Sequence, residues 1–261
     1  LNKFSKGSGF PLQIAAIELL EISGGGGSIA RVNDLQGIDV GPDSAGAMPG
    51  PVAFGRGGTE PTVTDCDLIL GYLDPERFAG GSLRLDLEAA RRSVQERLGT
   101  PLGMTVERAA QGVVDLINER MAAAVRVHAA EKGVDLRGFS LMAFGGNGPL
   151  HAFGVARTLG IRRLVVPHAA GVASAVGCVV AEPAIDFSEP MQMSLDAVDW
   201  SAIEDAMQRA RAAGARALGE FTDQANVDVR TTADLRCMGQ GYQIGIALPD
   251  IADRTAAVVE M

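Results

Sequence analysis

Asp65 and Asp67 stand two residues apart in TVTDCDLIL, and in an extended segment that spacing turns both carboxylates to one face, where they could hold Mg²⁺ or a water. Asp65 equally suits the N-cap of a helix beginning near Cys66. A second reactive group, His151, lies in FGGNGPLHA, one turn into a helix whose first turn Pro149 presets. Gly145 and Gly146 precede that helix at a strand end, the place where open α/β sheets bind ligands. A nucleotide could lie against their backbone, with Asn147 and His151 reaching polar atoms. The same glycines serve equally to pack a strand-to-helix turn, and His151 equally to hold the loop.

A third feature is the tract from Gly24 to Asp65. It opens with GGGGS, Gly24 to Ser28, and Pro42, Pro49, Pro51 and Pro61 are set within it. Eleven of the chain's 33 glycines fall between Gly24 and Gly58, and each costs more conformational entropy on folding than alanine would. Two reasons justify the cost: backbone amides offered to an anion, or a tightly folded loop with no ligand. Asp43 and Glu60 are carboxylates of this loop whose partners lie elsewhere in the fold.

Periodicity sets the elements that hold these groups in place. IAAIELLEI, ending at Ile22, has the look of a buried strand feeding the glycine tract. Asp86 is placed to cap a helix over LEAARRSVQERL, with Gly99 as its stop. Val106, Ala109, Ala110, Val113, Ile117, Met121, Ala124 and His128 recur on one face of a helix from about Thr105 to Lys132, closed by Gly133. That stripe is core, with His128 at its edge.

An apolar strand at 139–144, a helix at about 150–159 and a second strand at 163–166 form a βαβ unit, hence parallel strands with a right-handed crossover. A small-residue helix over 171–180 should pack on that sheet. Residues 183–199 are a connection, 200–219 an amphipathic helix, and 227–235 with 242–248 a β-hairpin across Gly239-Gln240-Gly241. The domain division expected is 1–182, with the glycine loop 24–65 and a helical insertion 86–133, and then 183–261.

Composition excludes several classes. The chain has 261 residues, 47% hydrophobic and 21% charged, enough for an ordinary core. A net charge of −9 opposes nucleic-acid binding, and Arg91-Arg92 and Arg162-Arg163 read as solvated faces. No run approaches the ~18 apolar residues of a membrane span, and the N-terminus lacks a signal-peptide core. Cys66, Cys178 and Cys237 are odd in number and widely spaced, as expected of reduced thiols in the cytoplasm. GxxxxGK, GxSxG, HExxH and CxxC motifs are absent.

In order, GGGGSIARV, GPDSAGAMPGPVAFGRGGTEPTVTD, LMAFGGNGPLHA, VVPHAAGVASAVG and DLRCMGQGYQI closely resemble the hydantoinase A/oxoprolinase family. That family includes ATP-dependent N-methylhydantoinase, 5-oxoprolinase and the ATP-using subunits of acetone and acetophenone carboxylases. The resemblance implies an α/β, actin-like (ribonuclease H-like) ATPase fold around the parallel βαβ core, followed by the C-terminal helix and hairpin.

Gly145 and Gly146 then match the family's adenosine turn. The two phosphate hairpins, an acidic residue followed by Gly-Gly-Thr, would precede Leu1, so the chain resembles the later part of the ATPase subunit. Cys237 stands where the pattern leads one to expect an aromatic residue.

The resemblance further implies ATP as cosubstrate with Mg²⁺ or Mn²⁺, Gly24, Gly25, Gly26, Gly27 and Ser28 near phosphate or substrate, and Gly145 to Gly148 along adenine or ribose. Asp65 would serve as a catalytic group and metal or water partner, and His151 as a second catalytic group. An unstrained amide is a poor electrophile, and phosphorylating its oxygen allows a cyclic amide to be opened. The substrate expected is a small cyclic amide or a ketone, in an oligomer with a second subunit of the hydantoinase B type. A ketone carboxylase subunit and a non-catalytic scaffold are the rival readings.

Overall fold

A computed structural model describes residues 19–219, 227–241 and 243–248. The chain divides after Val180 into two compact units. In the first unit, the glycine tract contains regular structure that its composition conceals. Strands β1 (Ser28–Val32) and β2 (Ile38–Ser44) form an antiparallel hairpin, with a register irregularity between Ser28 and Ala30. Two cis peptides, Gly41-Pro42 and Met48-Pro49, carry the chain from β2 to a 3₁₀ turn at Val52–Phe54.

The hairpin is fastened by charge as well as by its ladder. Arg31 reaches Asp43 at 2.5 Å and Glu60 at 2.9 Å, so the two loop carboxylates share one partner. Both carboxylates raise the guanidinium's already high pKa. From the opposite side Arg120 bonds the Val40 carbonyl and Asp39.

Helix α1 (Val63–Ile69) follows, and then α2 (Leu87–Val94), whose N-cap is Asp86, with its carboxylate accepting from the Ala89 amide at 2.8 Å. Gly99 does not stop this helix. The chain continues through a π turn (Gln95–Gly99) into the short α3 (Thr100–Leu102) and ends at Gly103, which takes the left-handed conformation at φ 63°. A glycine with helical φ propagates a helix; the stop falls where φ turns positive.

Helix α4 (Val106–Lys132) is capped by Thr105 and ended by left-handed Gly133. Its 27 residues make a rod of about 40 Å, long enough to serve two cores. The N-terminal half packs Val106, Ala109, Ala110, Val113, Val114 and Ile117 against Ala30 and Val40 of the hairpin, Val63 and Cys66 of α1, and Val94 and Leu98. Farther along, Ala122 packs against Val155 and Leu159 of α5 (Gly148–Leu159). His128 is half-buried beyond them.

Strands β3 (Ser140–Met142) and β4 (Arg163–Val165) flank α5 and pair in parallel, Ser140 with Arg163 and Met142 with Val165. The βαβ unit is therefore present, with shorter strands than the apolar run implied. Helix α6 (Ala173–Val180) buries none of its residues, contrary to the close packing its small side chains led one to expect.

Residues Leu19 to Ile22 correct another expectation. They form no strand, and Leu19 is 78% exposed; residues 14–18 of that apolar run lie outside the described residues. Among the described residues no helix is long and apolar enough to cross a membrane.

The second unit holds α7 (Trp200–Leu218), capped by Asp199, and an antiparallel pair of strands, β5 (Thr232–Leu235) and β6 (Ile244–Ala247). Tyr242, the expected start of the last strand, lies outside the described residues.

The core makes one chemical prediction. Cys66 is fully buried, and desolvation together with the neighbouring Asp65 and Asp67 pushes its thiol well above the ordinary range. Only a thiolate alkylates at a useful rate. Iodoacetamide at pH 8 should therefore leave Cys66 unmodified in the native protein and label it after denaturation, as read by peptide mass spectrometry.

Candidate functional site

Helix α1 sends Asp65 and Asp67 in different directions. At 3.6 residues per turn two positions differ by about 200°, so the shared face expected of an extended segment is lost. Asp65 turns back on its own N-terminus. The Thr62 hydroxyl is the N-cap acceptor for the Asp65 amide, and the Asp65 carboxylate accepts from the Thr62 amide at 2.8 Å, a capping box. Asp65 also accepts from the Thr62 hydroxyl at 2.8 Å, the Ala53 amide at 2.7 Å and the Val52 amide at 3.2 Å.

The carboxylate is completely buried. Burial pushes its pKa up, while the hydrogen bonds from Ala53, Thr62 and Val52 pull the other way. With four donors already in place, Asp65 does not fit a cation. It is neither the N-cap nor a surface-facing catalytic group but the knot that ties the 3₁₀ turn to α1. Among the described residues no three His, Cys, Asp or Glu side chains come together as a metal site.

Asp67, by contrast, points at the second motif. Its Oδ2 accepts from Asn147 Nδ2 at 3.4 Å and lies 3.4 Å from His151 Nε2. His151 Nε2 lies 3.1 Å from Asn147 Nδ2, and on the far side of the ring Nδ1 is 3.0 Å from Asn118 Oδ1 on α4. The ring is thus wedged between the two amides, with Nε2 facing both Asn147 and Asp67.

Asp67 and His151 are 0% and 1% exposed. Asp67 Oδ1 has no hydrogen-bond partner and, among the described residues, is the one buried side-chain polar atom in that position. Such an atom calls for an explanation, since burying a carboxylate oxygen without a donor is costly. His151, sealed from solvent, cannot touch a ligand. It positions Asn147.

The glycine tract meets this network at one residue. A Cβ on Gly26 would stand 2.6 Å from Thr64 Oγ1 and 3.2 Å from Asn147 Nδ2, so only glycine allows the approach. The Gly26 carbonyl accepts from the Thr64 amide at 2.8 Å and from its hydroxyl at 2.9 Å. The rest of GGGGS folds inward. The Gly24 amide donates to the Ile22 carbonyl, the Gly25 amide to the Ser28 hydroxyl at 3.0 Å, and the Ser28 amide to the Gly25 carbonyl. Three of the amides expected to face an anion are thus spent on the turn itself, and Gly27 lies against Ser44, with 2.8 Å between its would-be Cβ and the hydroxyl.

Gly26, Thr64, Gly146 and Asn147 line a cleft of about 570 Å³. Its remaining lining comes from the segment after α1: Tyr72, Leu73 and Asp74, then Arg77, Phe78 and Ala79. Arg77 is paired at 3.7 Å with Asp74 and is largely exposed. Around Gly145, Gly146 and Gly148 nothing stands within 4 Å of an added Cβ, leaving backbone open to a ligand. Gly145, at φ 91°, is held by its amide bond to the Ala170 carbonyl at 2.8 Å.

Thr64, Asn118 and the wall from Tyr72 to Ala79 were not singled out by sequence reasoning. Asn118 had a detectable signal, a polar residue four positions after buried Val114 and four before buried Ala122. Its complement is Gly154 of α5, where a Cβ would come within 2.3 Å of Asn118 Nδ2.

Comparison with known proteins identifies the chain's relatives. The hydantoinase/oxoprolinase family model matches residues 2–187. The chain is 35% identical to caprolactamase subunit alpha of Pseudomonas jessenii over 98% of its own length and 38% of that protein's. It is 40% identical to the acetophenone carboxylase gamma subunit of Aromatoleum aromaticum over 64% of this chain and 22% of the relative.

The crystal structure of ATP-dependent caprolactamase from Pseudomonas jessenii superposes with a TM-score of 0.70 at 34% identity, covering 90% of this chain and 35% of that one. The chain thus spans less than two-fifths of the length of these relatives. With that family model matching most of its length, the chain belongs to the hydantoinase/oxoprolinase family.

Proposed function

We propose that this chain is part of an ATP-dependent subunit, of actin-like α/β fold, that opens small cyclic amides by way of phosphorylation at the amide oxygen. The observation that carries the reading is the convergence of Gly26 with Gly146 and Asn147 on one cleft, although some 120 residues separate them in sequence. The open backbone at Gly145, Gly146 and Gly148 suits a nucleotide lying flat against it, and Gly26 with Thr64 suits the reacting end. When bound, the nucleotide supplies the phosphoryl group that makes the amide carbon electrophilic. The chain's own residues supply shape and hydrogen bonds: Asp67, His151 and Asn118 hold Asn147 at the cleft.

A second reading, the ATP-using subunit of a ketone carboxylase, is favoured by the 40% identity to the acetophenone carboxylase gamma subunit. The relatives' designations as subunits support a companion chain of the hydantoinase B type and an oligomer. A cytoplasmic location is the setting in which such chemistry has its nucleotide.

The deciding experiment measures ATP turnover by the full-length protein with its companion subunit in the presence of hydantoin, 5-oxoproline, caprolactam or acetone. Stimulation by a cyclic amide supports the first reading, and stimulation by acetone the second. If ATP analogues at a hundredfold excess over a millimolar dissociation constant raise the melting temperature by nothing, where about 2.7 kcal/mol of stabilisation is due, both readings fail and a scaffold role remains.

A further inference from the structure

Asn147 has two ends, and the structure uses only one of them internally. Nδ2 donates to Asp67 Oδ2 and lies 3.1 Å from His151 Nε2. Its Oδ1 makes no hydrogen bond among the described residues and is not among their buried unpaired atoms, and Asn147 lines the cleft. We propose that Asn147 is the specificity-determining acceptor of this cleft, its amide locked by Asp67 so that the carbonyl oxygen receives an N–H of a planar heterocyclic ligand. The inference rests on the functional reading above and names the contact that reading lacks.

The lock follows from charge. Turning the amide over would set Oδ1 against the Asp67 carboxylate, two acceptors facing each other in a site with no solvent to separate them. His151 closes the same end of the amide, its Nε2 lying 3.1 Å from Asn147 Nδ2 and 3.4 Å from Asp67 Oδ2. Asp67, His151 and Asn118 thus come from three elements, α1, α5 and α4, and all act on one amide. They are positioning residues; none of them reaches the cleft. The same cleft is lined by the apolar side chains of Tyr72, Leu73 and Phe78. A flat ring against an apolar wall, with an N–H directed at one acceptor, is the ligand these surfaces fit.

Two sources offer that chemistry: the ring N–H of a lactam or imide, and the exocyclic amine of the nucleotide base. A site built to accept a hydrogen bond rejects an analogue that cannot donate it, because the acceptor is then left unpaired. The full-length protein should therefore bind the N–H form at least about tenfold more tightly than its N-methylated analogue in one of two calorimetric pairs. The pairs are ADP against N6,N6-dimethyl-ADP, and hydantoin against the analogue methylated at both ring nitrogens. The pair that shows the preference identifies the source.

Asn147→Ala should bring that ratio to within about twofold. Asp67→Asn, which keeps the side chain's shape and removes the charge that orients the amide, should lower it severalfold and serves where the alanine variant does not fold. A merely structural role for Asn147 would weaken both members of a pair alike and leave the ratio unchanged. An unaltered ratio in both variants overturns the proposal while the functional reading stands. A wild-type protein that binds all four compounds without preference overturns it in the same way, and one that binds none of them removes both.

Discussion

Asp65→Ala should lower the stability of the first unit by about 3 kcal/mol or more, read as a fall of roughly 6–12 °C in melting temperature. The size follows from what the carboxylate satisfies. Removing it strands the amides of Ala53 and Thr62 in the interior and that of Val52 at its edge, together with the Thr62 hydroxyl. Each buried donor left without an acceptor costs roughly 1–3 kcal/mol.

Asp65→Asn should recover part of the loss, since it keeps one acceptor but turns an NH₂ toward groups that are themselves donors. If Asp65 were a metal ligand or a catalytic base, both variants would abolish turnover and leave the melting temperature alone. Denaturation followed by circular dichroism separates the two roles.

Gly26→Ala should reduce turnover by more than tenfold while the protein remains folded. The added methyl would stand 2.6 Å from Thr64 Oγ1 and 3.2 Å from Asn147 Nδ2. Neither neighbour can yield freely: the Thr64 hydroxyl is bonded to the Gly26 carbonyl, and Asn147 is held by Asp67 and His151. The strain, about 1–3 kcal/mol for an overpacked contact, is relieved by moving Asn147 or Thr64, and both line the cleft. Gly25→Ala is the control. A Cβ there meets nothing within 4 Å, so this neighbour in the same tract should be nearly silent. Equal loss in both variants would mean that the tract acts through its flexibility, and the close-approach account of Gly26 would fall.

Helix α4 shows what is legible from sequence. Its apolar stripe, its start near Thr105 and its Gly133 stop are local signals, and all three stand where periodicity and capping chemistry put them. The βαβ unit is legible for the same reason, and so are α2 with its Asp86 cap and the helix α7 from Trp200. Errors arose where a residue's meaning depended on a remote partner. Gly99 is a stop signal by type, yet its backbone remains helical and Gly103 ends the helix. Leu19 to Ile22 are apolar enough for a strand, but a strand needs a neighbour to receive its hydrogen bonds, and these residues have none within the described chain.

The two aspartates illustrate the division most clearly. By sequence alone, TVTDCDLIL establishes that two carboxylates lie close together near a helix start, and the motifs around it establish the family. Which carboxylate is structural and which serves the site was decided only by the tertiary fold. A helix rotates by about 100° per residue, so one aspartate met the amides of Val52 and Ala53 and the other met Asn147 and His151. A carboxylate's role is set by the donors around it, and here two of the Asp65 donors and both Asp67 partners come from segments 12 to 84 residues away.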